Sequence, residues 1–526
     1  LIIDGYDLES PADTITIPGG YIFDNMTIRN SAQVTADQGI TVLGTLRVTG
    51  NSVLTHSTGN EQGLVINASR VQIDQGSSID VTGRGYRGGP GYNGDGYTLN
   101  NLHEYPYCSS YGAGGSYGGS GAGYESRYSG LVYGDPKNPD KLGSGGGAWG
   151  WDAGGYGGGR VTINASGSLI MNGMIRANGG ESNGSAAGDG SGGSILINTS
   201  RMSGTGFIRA DGGGNGNGVS GGGGRIAVYS DQIDAAENFG SLRNITAFGG
   251  HGYYDHRASS AGTVFIKLGS QSNGDLYIDN NMASTSSAST RLPHIGFGIT
   301  AEVTGGNTLT TDSQVSLMPG GLTGLRINPD MSQGQTFLIR ANTVSTITVV
   351  TPNENGFSFA DIAAAGRTYA GVYTYDNLTF RRGGNLVMGD SLNVVDNMTM
   401  AENSMLTHYD ATTTFVSLLD LTVGSLVIEQ GSRIDVTGKG YIGGRSYNES
   451  GRAAGNVYGS QAGTGGSYGG LGGGYEGRIA GPAYGSISSP TELGSGGGSW
   501  GWTPGGDGGG RIFINAGNIT IDGAIR

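Results

Sequence analysis

A chain of 526 residues with 108 glycines, 13% charged residues and one cysteine, Cys108, has neither a disulfide framework nor an ordinary globular composition. Its net charge of −13 is spread thinly, with no basic cluster and no acidic tail, which argues against nucleic acid and anionic membrane as partners. No apolar run is long enough to span a membrane, and scarce cysteine beside abundant Gly, Ser, Thr and Asn fits an extracellular, β-rich or fibrous protein.

Taken in chain order, residues 20–82 read as short strands broken by glycine or asparagine: Ile40–Val42, Thr45–Val48, Leu64–Ile66, Val71–Ile73 and Ser78–Val81. Apolar residues alternate with polar ones in each, the period of a strand buried on one face, which a disordered segment has no reason to keep. The spacing leaves no room for helices. Single glycine corners rather than Asn-Gly or Asp-Gly pairs suit stacked parallel strands better than hairpins. The prediction is all-β: a right-handed parallel β-helix, or β-solenoid, with Gly-rich insertions and a small interposed β module.

From about 83 to 159 tyrosine and glycine dominate and the alternation stops. Gly112, Gly115, Gly118 and Gly121 recur every third residue, as do Gly463, Gly466, Gly469 and Gly472. Three is the polyproline-II period, and glycine at each third place is the logic by which collagen chains approach one another. Without proline, Gly-rich loops or extended strands packed on one face of the solenoid are the expectation. Strand signals resume after the glycine runs at Gly157–Ile163, Gly192–Ile197, Gly222–Val228 and Gly508–Ile514. Each such unit supplies two strands and one Gly-rich excursion, and none buries its apolar side until the next stacks on it.

Residues 270–370 lack glycine runs and carry conventional β patterning at Thr308–Thr310, Gln314–Leu317, Thr336–Arg340 and Ser345–Val350. Ala360–Ala365 is long enough for one helical turn only. The whole pattern then starts again. Gly143-Ser-Gly-Gly-Gly-Ala-Trp-Gly-Trp151 returns as Gly494-Ser-Gly-Gly-Gly-Ser-Trp-Gly-Trp502 at an offset of 351, Ile79–Tyr86 returns as Ile434–Tyr441, and Leu54-Thr55-His56 as Leu406-Thr407-His408. Iteration on this scale is a repeated domain array. It predicts a solenoid module over 1–270 with its insertion at about 83–159, a small β module over 271–370, and a second solenoid module over 371–526 with its insertion at about 438–510. Ile521–Arg526 matches Met171–Arg176, and Phe23–Ile28 matches Tyr375–Phe380, so a larger cycle with further copies is expected.

The blocks Gly143–Trp151, Gly157–Ile163, Gly221–Val228, Gly494–Trp502 and Gly508–Ile514 resemble those of the very large, repetitive surface and secreted proteins of bacteria, over about half of the chain. The resemblance implies a β-helical stalk, adhesin or filament subunit outside the cell, and it carries no catalytic residue.

The Trp-Gly-Trp motifs hold all four tryptophans, Trp149, Trp151, Trp500 and Trp502. In a strand, residues two apart share a side, so each pair could form a sugar-stacking platform. The preferred reading is that the rings clamp Gly-rich segments, because large rings supply buried area that glycine cannot. Tyr124, Glu125 and Arg127 return as Tyr475, Glu476 and Arg478. A glycosidase would need a second carboxylate, for which Asp80 and Asp435 are the repeated candidates, and a structural ion pair or loop hydrogen bond is preferred. Arg160, Arg225 and Arg511, each opening a strand after triple glycine, are expected to donate to carbonyls of the neighbouring excursion rather than to bind anionic glycans.

Asp95, Asp189 and Asp507 lie among glycines without the nonapeptide of a calcium β-roll, which leaves calcium as a remote option, for example at Asp135–Asp140. No metal or other cofactor is otherwise implied. Of six histidines only His56 and His408 are repeated, and with no ligand-spaced partner they are read as corner residues. The sequons at Asn25, Asn67, Asn164 and Asn377 are weak signals of glycosylation in so Asn- and Ser-rich a chain. The function expected is therefore non-enzymatic: an extracellular or cell-surface stalk, filament or adhesin that associates with neighbouring copies of itself. A polysaccharide-binding or polysaccharide-degrading β-helix protein is the alternative.

Overall fold

A computed structural model describes the chain except residues 8–13, 124–126, 185, 215–217, 235–241, 253–258, 283–288 and 313–315. Strands make up 38% of the residues and the described residues contain no α-helix, so the protein is all-β with large sheets. Two compact units are formed, one by Leu1–Pro293 with Tyr375–Asn385 and Ala401–Ser404, the other by His294–Thr374 with Leu386–Met400 and Met405–Arg526.

In the first unit the alternation of branched apolar residues becomes a ladder of long parallel strands. Ile40–Val48, Leu64–Ile73, Arg160–Met171, Ser194–Ser203, Arg225–Ile233 and Thr263–Leu268 pair in that order. Their registers place Ile66, Ile163, Ile197, Val228 and Ile266 in one row and Leu64, Val161, Ile195, Ile226 and Val264 in another, all buried. A second parallel sheet of seven short strands follows the same chain order, and its central row is Val34, Leu54, Ile79, Ile175, Ile208 and Ile245. The two sheets share one apolar cluster, each fully buried side chain contributing about 1.5–3 kcal/mol.

Two segments read separately from sequence, Ile40–Val42 and Thr45–Val48, are one strand. The ladder slips between Val42 and Thr45, as it does between Ala165 and Ser168, and such bulges bend a strand without ending it. The corner after Leu64–Ile73 is a turn in which the Ser77 amide donates to the Asp74 carbonyl at 3.0 Å, and Gly76 takes the positive φ of +83° that the turn requires. The chain leaves the stack after Ser78–Asp80 and returns at Arg160–Met171, which pairs directly with Leu64–Ile73. The whole excursion is thus inserted between two adjacent strands.

Together with the later segments 177–193 and 210–224, that excursion forms a glycine-rich flank that is not a regular sheet. Successive amides of one segment donate to three different neighbouring segments in rotation. Gly188 and Ser191 donate to the carbonyls of Gly147 and Ser144, Asp189 and Gly192 to those of Val219 and Gly222, and Gly190 and Gly193 to those of Gly180 and Ala177, all at 2.7–2.9 Å. The stretch 143–148 behaves likewise: Gly143 and Gly146 turn to 155–158, Gly145 and Ala148 to 94–97, and Gly147 to Ala113. Bonding that returns to the same neighbour every third residue is the signature of a threefold extended chain. Of the two forms expected, loops or extended strands, the flank takes the extended one, with the threefold spacing seen in the sequence. Backbone hydrogen bonds between segments hold it, which isolated polyproline-II chains lack.

The second unit contains the antiparallel strands of the small β module. Glu302–Thr304, Thr308–Thr310 and Thr346–Val349 pair in succession, Thr346–Val349 pairs with Phe337–Asn342, and Phe337 packs edge-on against Phe359. Of the predicted Gln314–Leu317 strand, Gln314 and Val315 fall outside the described residues and Leu317 lies in no strand. A second parallel stack then runs through Ser391–Met400, Leu419–Ile428 and Ile512–Ile521, and its Gly-rich excursion lies between the last two.

Interior glycines of the flank leave no room for a side chain: a Cβ on Gly190 would fall on the Tyr156 carbonyl, whereas one on Gly334 meets nothing within 4 Å. Gly190→Ala should therefore cost about 1–3 kcal/mol, and Gly334→Ala should stay within about 0.5 kcal/mol of the parent, in denaturant unfolding monitored for both variants.

Candidate functional site

Each Trp-Gly-Trp motif folds into a two-residue turn. Trp149 and Asp152 exchange backbone hydrogen bonds at 2.9 and 3.0 Å, as Trp500 and Thr503 do at 3.0 Å. The first central residue is Gly150 or Gly501, at φ +55° or +57°, a conformation that favours glycine. The reversal separates the two rings of each motif, so the expectation that they share one side does not hold: a tight turn replaces the strand on which it rested.

The first ring of each motif lies over a glycine of the flank, Trp149 half-buried and Trp500 41% exposed. Trp149 lies where a Cβ on Gly112 would stand, and Trp500 occupies the same place over Gly463. Tyr111 packs on Trp149 with ring centres 6.0 Å apart and carries the Arg127 guanidinium 3.9 Å above its own face. In the second copy Tyr475 meets Trp500 edge-on at 5.0 Å and Arg478 stands 4.7 Å over the indole. These are the clamps expected of large rings beside glycine.

The second ring stands at the tip of the turn, with Trp151 82% and Trp502 78% exposed. Beside it lies an exposed tyrosine, Tyr92 at 5.3 Å and 54° or Tyr447 at 5.4 Å and 58°. The following asparagine fixes the pair: Asn93 Oδ1 accepts from the Gly150 amide at 2.7 Å, and Asn448 Oδ1 from the Gly501 amide at 2.8 Å. Tyr92-Asn93 and Tyr447-Asn448 were not singled out in the sequence, although the repeated Tyr-Asn dipeptide was there to be seen. Two nearly identical open aromatic corners result, each able to lie against the apolar face of a flat ligand.

The carboxylates take other roles. Tyr124 and Glu125 fall outside the described residues. Tyr475 and Arg478 close a tight turn by mutual backbone bonds, Glu476 sits in it at φ +49°, and the Glu476 carboxylate holds the Tyr475 phenol above its ordinary value through a hydrogen bond. Of the two roles expected, an ion pair or a loop hydrogen bond, the second is found: no Glu476–Arg478 ion pair is among those of the described residues, and Arg478 faces Trp500 and donates to the Ala462 carbonyl at 3.1 Å. Asp80 pairs with Arg176 at 2.5 Å, and Asp435 with Arg526 at 2.9 Å.

Asp95, Asp189 and Asp507 accept from the Tyr111, Ser182 and Gly443 amides at 2.7–2.9 Å. Burial pushes Asp135 and Asp189 up to about 6. Asp135 accepts from the Lys137 amide and Asp140 pairs with Lys141, and no group of three metal-ligating side chains converges among the described residues.

Arg225 is fully buried and donates to the Tyr133 and Tyr117 carbonyls at 3.1 and 3.4 Å, and Arg160 reaches the Glu61 carbonyl at 3.3 Å. The sequon asparagines are likewise in use. Asn198 donates to Asn164 at 2.8 Å and Asn164 to Asn67 at 2.9 Å, a side-chain amide ladder up the stack, while Asn25 accepts from the Thr45 amide and Asn377 donates to Asp275.

His56 and His408 are the hinge pins of the two excursions. Nδ1 of each lies 2.8 Å from the carbonyl of the next residue, so it carries the proton, and Nε2 accepts from the amide of Arg160 at 3.1 Å or Arg511 at 3.2 Å, where the chain re-enters the stack. Burial lowers both rings, His408 to about 4.

Neither protein-family models nor curated proteins yield a match to this chain. No helix among the described residues is long and apolar enough to cross a membrane.

The histidines make stability depend on pH. Unfolded histidine binds its proton near pH 6.5 and the folded His408 ring only near 4, so below 6.5 the unfolded state holds more protons and stability falls as the pH falls toward about 4. His408 alone accounts for on the order of 3 kcal/mol over that window. Denaturant midpoints between pH 7 and 4 should fall in the parent and fall less in His408→Asn, where His56 alone remains.

Proposed function

We propose that this chain is a non-enzymatic extracellular structural protein, in which right-handed parallel β-helix modules with glycine-rich flanks build a stalk, surface filament or adhesin alongside neighbouring copies of itself. The observation that carries the reading is the paired insertion: a complete glycine-rich excursion enters between two adjacent strands at Leu64–Ile73 and Arg160–Met171, and again at Leu419–Ile428 and Ile512–Ile521. This is iterated architecture, in which a new layer is made by the same rule as the last. Right-handedness follows the near-universal hand of parallel connections within a sheet. An oxidising exterior suits a chain whose single thiol is withdrawn from chemistry: Cys108 is buried and burial pushes it up to about 12.

A second reading, polysaccharide binding, is favoured by the duplicated corners Tyr92–Trp151 and Tyr447–Trp502. Large rings exposed in the same rigid arrangement twice are costly decoration for a purely structural flank, and stacking against pyranose faces is the use that fits their geometry.

Antibody raised against the chain should label intact, unpermeabilised source cells or their extracellular material; staining that requires permeabilisation would overturn the extracellular assignment. On a glycan array the parent should bind a polysaccharide, and the Trp151→Ala, Trp502→Ala double variant should lose at least about tenfold in affinity with its unfolding unchanged. Equal binding by both proteins removes the corners from the reading, and absence of binding by the parent removes the polysaccharide.

A further inference from the structure

The flank of the first unit has a root and a tip. At the root, beside the strands, the Tyr133 hydroxyl donates to the Leu142 carbonyl and Tyr117 bonds Ser194 Oγ, each at 2.7 Å. From there the chain runs out through Gly143–Ala148 to the Trp149–Asp152 turn. Residues 110–115 run back beside it: the Gly112 amide donates to the Ala148 carbonyl and the Gly147 amide to that of Ala113, both at 2.9 Å, and a Cβ on Gly115 would strike the Ser144 carbonyl. A third segment, 128–133, is fastened at the tip by Ser110, which exchanges bonds of 3.0–3.1 Å with the Tyr128 backbone, and it ends at the root with Tyr133. Bonds from the Tyr92 and Asn93 amides to the Gly150 carbonyl bring residues 92–93 to the same end.

The tip therefore collects three pairs of rings. Beside Tyr92–Trp151 and Tyr111–Trp149 stands Tyr105–Tyr128, with ring centres 6.0 Å apart at 47°. Tyr92, Trp151, Tyr105 and Tyr128 are each 60% or more exposed, although segments 177–193 and 210–224 pack on the same flank. Tyr111, held between Trp149 and the Arg127 guanidinium, ties the two exposed pairs into one ridge. The third pair is confined to the first copy. Gly96 donates to the Ser109 carbonyl as Gly451 does to that of Ser460, with four more residues between them in the first copy, and Tyr105 lies in that longer stretch. Where the first copy has Tyr111 and Tyr128, the second has Ala462 and Ile479.

We propose that this ridge is an extended subsite for a linear polysaccharide, one chain lying across both the Tyr92–Trp151 corner and the Tyr105–Tyr128 pair, so that the first copy binds long chains better than the second. The inference rests on the polysaccharide reading of the corners and adds what they select: the interior of a chain rather than a single sugar. Rings merged into one apolar patch would suit a protein partner. Here the two exposed pairs are set apart by glycine backbone and by the polar side chains of Asn93 and Ser110, and that alternation matches a sugar chain, whose apolar faces alternate with hydroxyl rims. A polymer held on one platform reaches the second as a tethered ligand, which raises affinity for length without a new kind of contact.

Titration of the 526-residue chain with linear oligosaccharides of increasing length, cut from cellulose, chitin and polygalacturonate, is the test. In at least one series the parent should bind more tightly as length grows, up to a plateau. The Tyr105→Ala, Tyr128→Ala double variant should keep the parent's unfolding and its affinity for the shortest oligomer bound, and lose at least about tenfold for the longest. Trp151→Ala should weaken binding at every length, and Trp502→Ala should leave the length dependence as it is. Affinity that does not grow with length, or equal binding of the longest oligomers by the Tyr105→Ala, Tyr128→Ala variant and the parent, overturns the inference and leaves the corners standing. If none of the series binds, or if Trp151→Ala, Trp502→Ala binds as the parent does, the polysaccharide reading falls with it.

Discussion

A chain with 108 glycines can fold only if its backbone does the work that side chains do elsewhere. Each buried amide needs an acceptor, and an unpaired one costs as much as several ordinary contacts return. In the flank the threefold twist sends consecutive amides in three directions, so one segment needs three neighbours and each neighbour needs three in turn. Pairing of this kind requires backbones so close that a Cβ on Gly146, Gly190 or Gly221 would lie on a neighbouring carbonyl. Glycine is therefore required here by contact distance. Its usual freedom of φ is used elsewhere, at turn positions such as Gly76 and Gly150.

Such a bundle has almost no apolar surface of its own, and it holds its place through the few large side chains that cross to the strands. Tyr117 and Tyr133 are fully buried and 4.9 Å apart; Tyr117 bonds Ser194 Oγ at 2.7 Å, and Tyr133 donates to the Leu142 carbonyl at 2.7 Å. Arg225 opens a core strand and spends its guanidinium on the carbonyls of both tyrosines and on Thr263 Oγ1. A buried guanidinium is tolerable when its donors are matched, and a wall of free carbonyls is what a glycine flank provides. At the other end of the excursion His56 fixes the re-entry at Arg160, with the ring set where a Cβ on Gly159 would otherwise stand. Strand stack and flank are thus one structure, since the same residues terminate the one and begin the other.

The β class, the strand positions and the places where the excursions begin and end were legible in the sequence, because each rests on local periodicity. Leu64–Ile73 and Thr308–Thr310 announce themselves through alternation, and His56 and His408 through repetition at a strand end. What was not legible depends on neighbours far away in the chain. The period of three at Gly112–Gly121 was visible, but whether it makes loops or a bonded bundle turns on partners at 144, 189 and 223, which no local window contains. The two tryptophans of each motif look alike in sequence and part company because Gly150 takes φ +55°. The sequons at Asn67 and Asn164 were weak signals in the sequence, and stacking in register joins these asparagines with Asn198 in a ladder of amides, a role visible only once the strands are aligned.

Duplication supplies an internal control for separating local from contextual causes. The Trp turn, the Tyr-Asn brace and the histidine pin have nearly the same geometry in both copies, so the residues repeated in each copy determine them, even where the bonded partners lie far apart in the chain. The outward glycines behave differently: Gly158 and Gly509 sit in the same Gly-Gly-Gly-Arg run, with Asp507 in the place of Tyr156, yet one is enclosed and the other open. At Gly509 nothing nearby excludes a side chain, and its φ is not in the left-handed region. Enclosure at Gly158 is therefore set by the distant segment that carries the Ala177 carbonyl and not by the residues beside it in sequence.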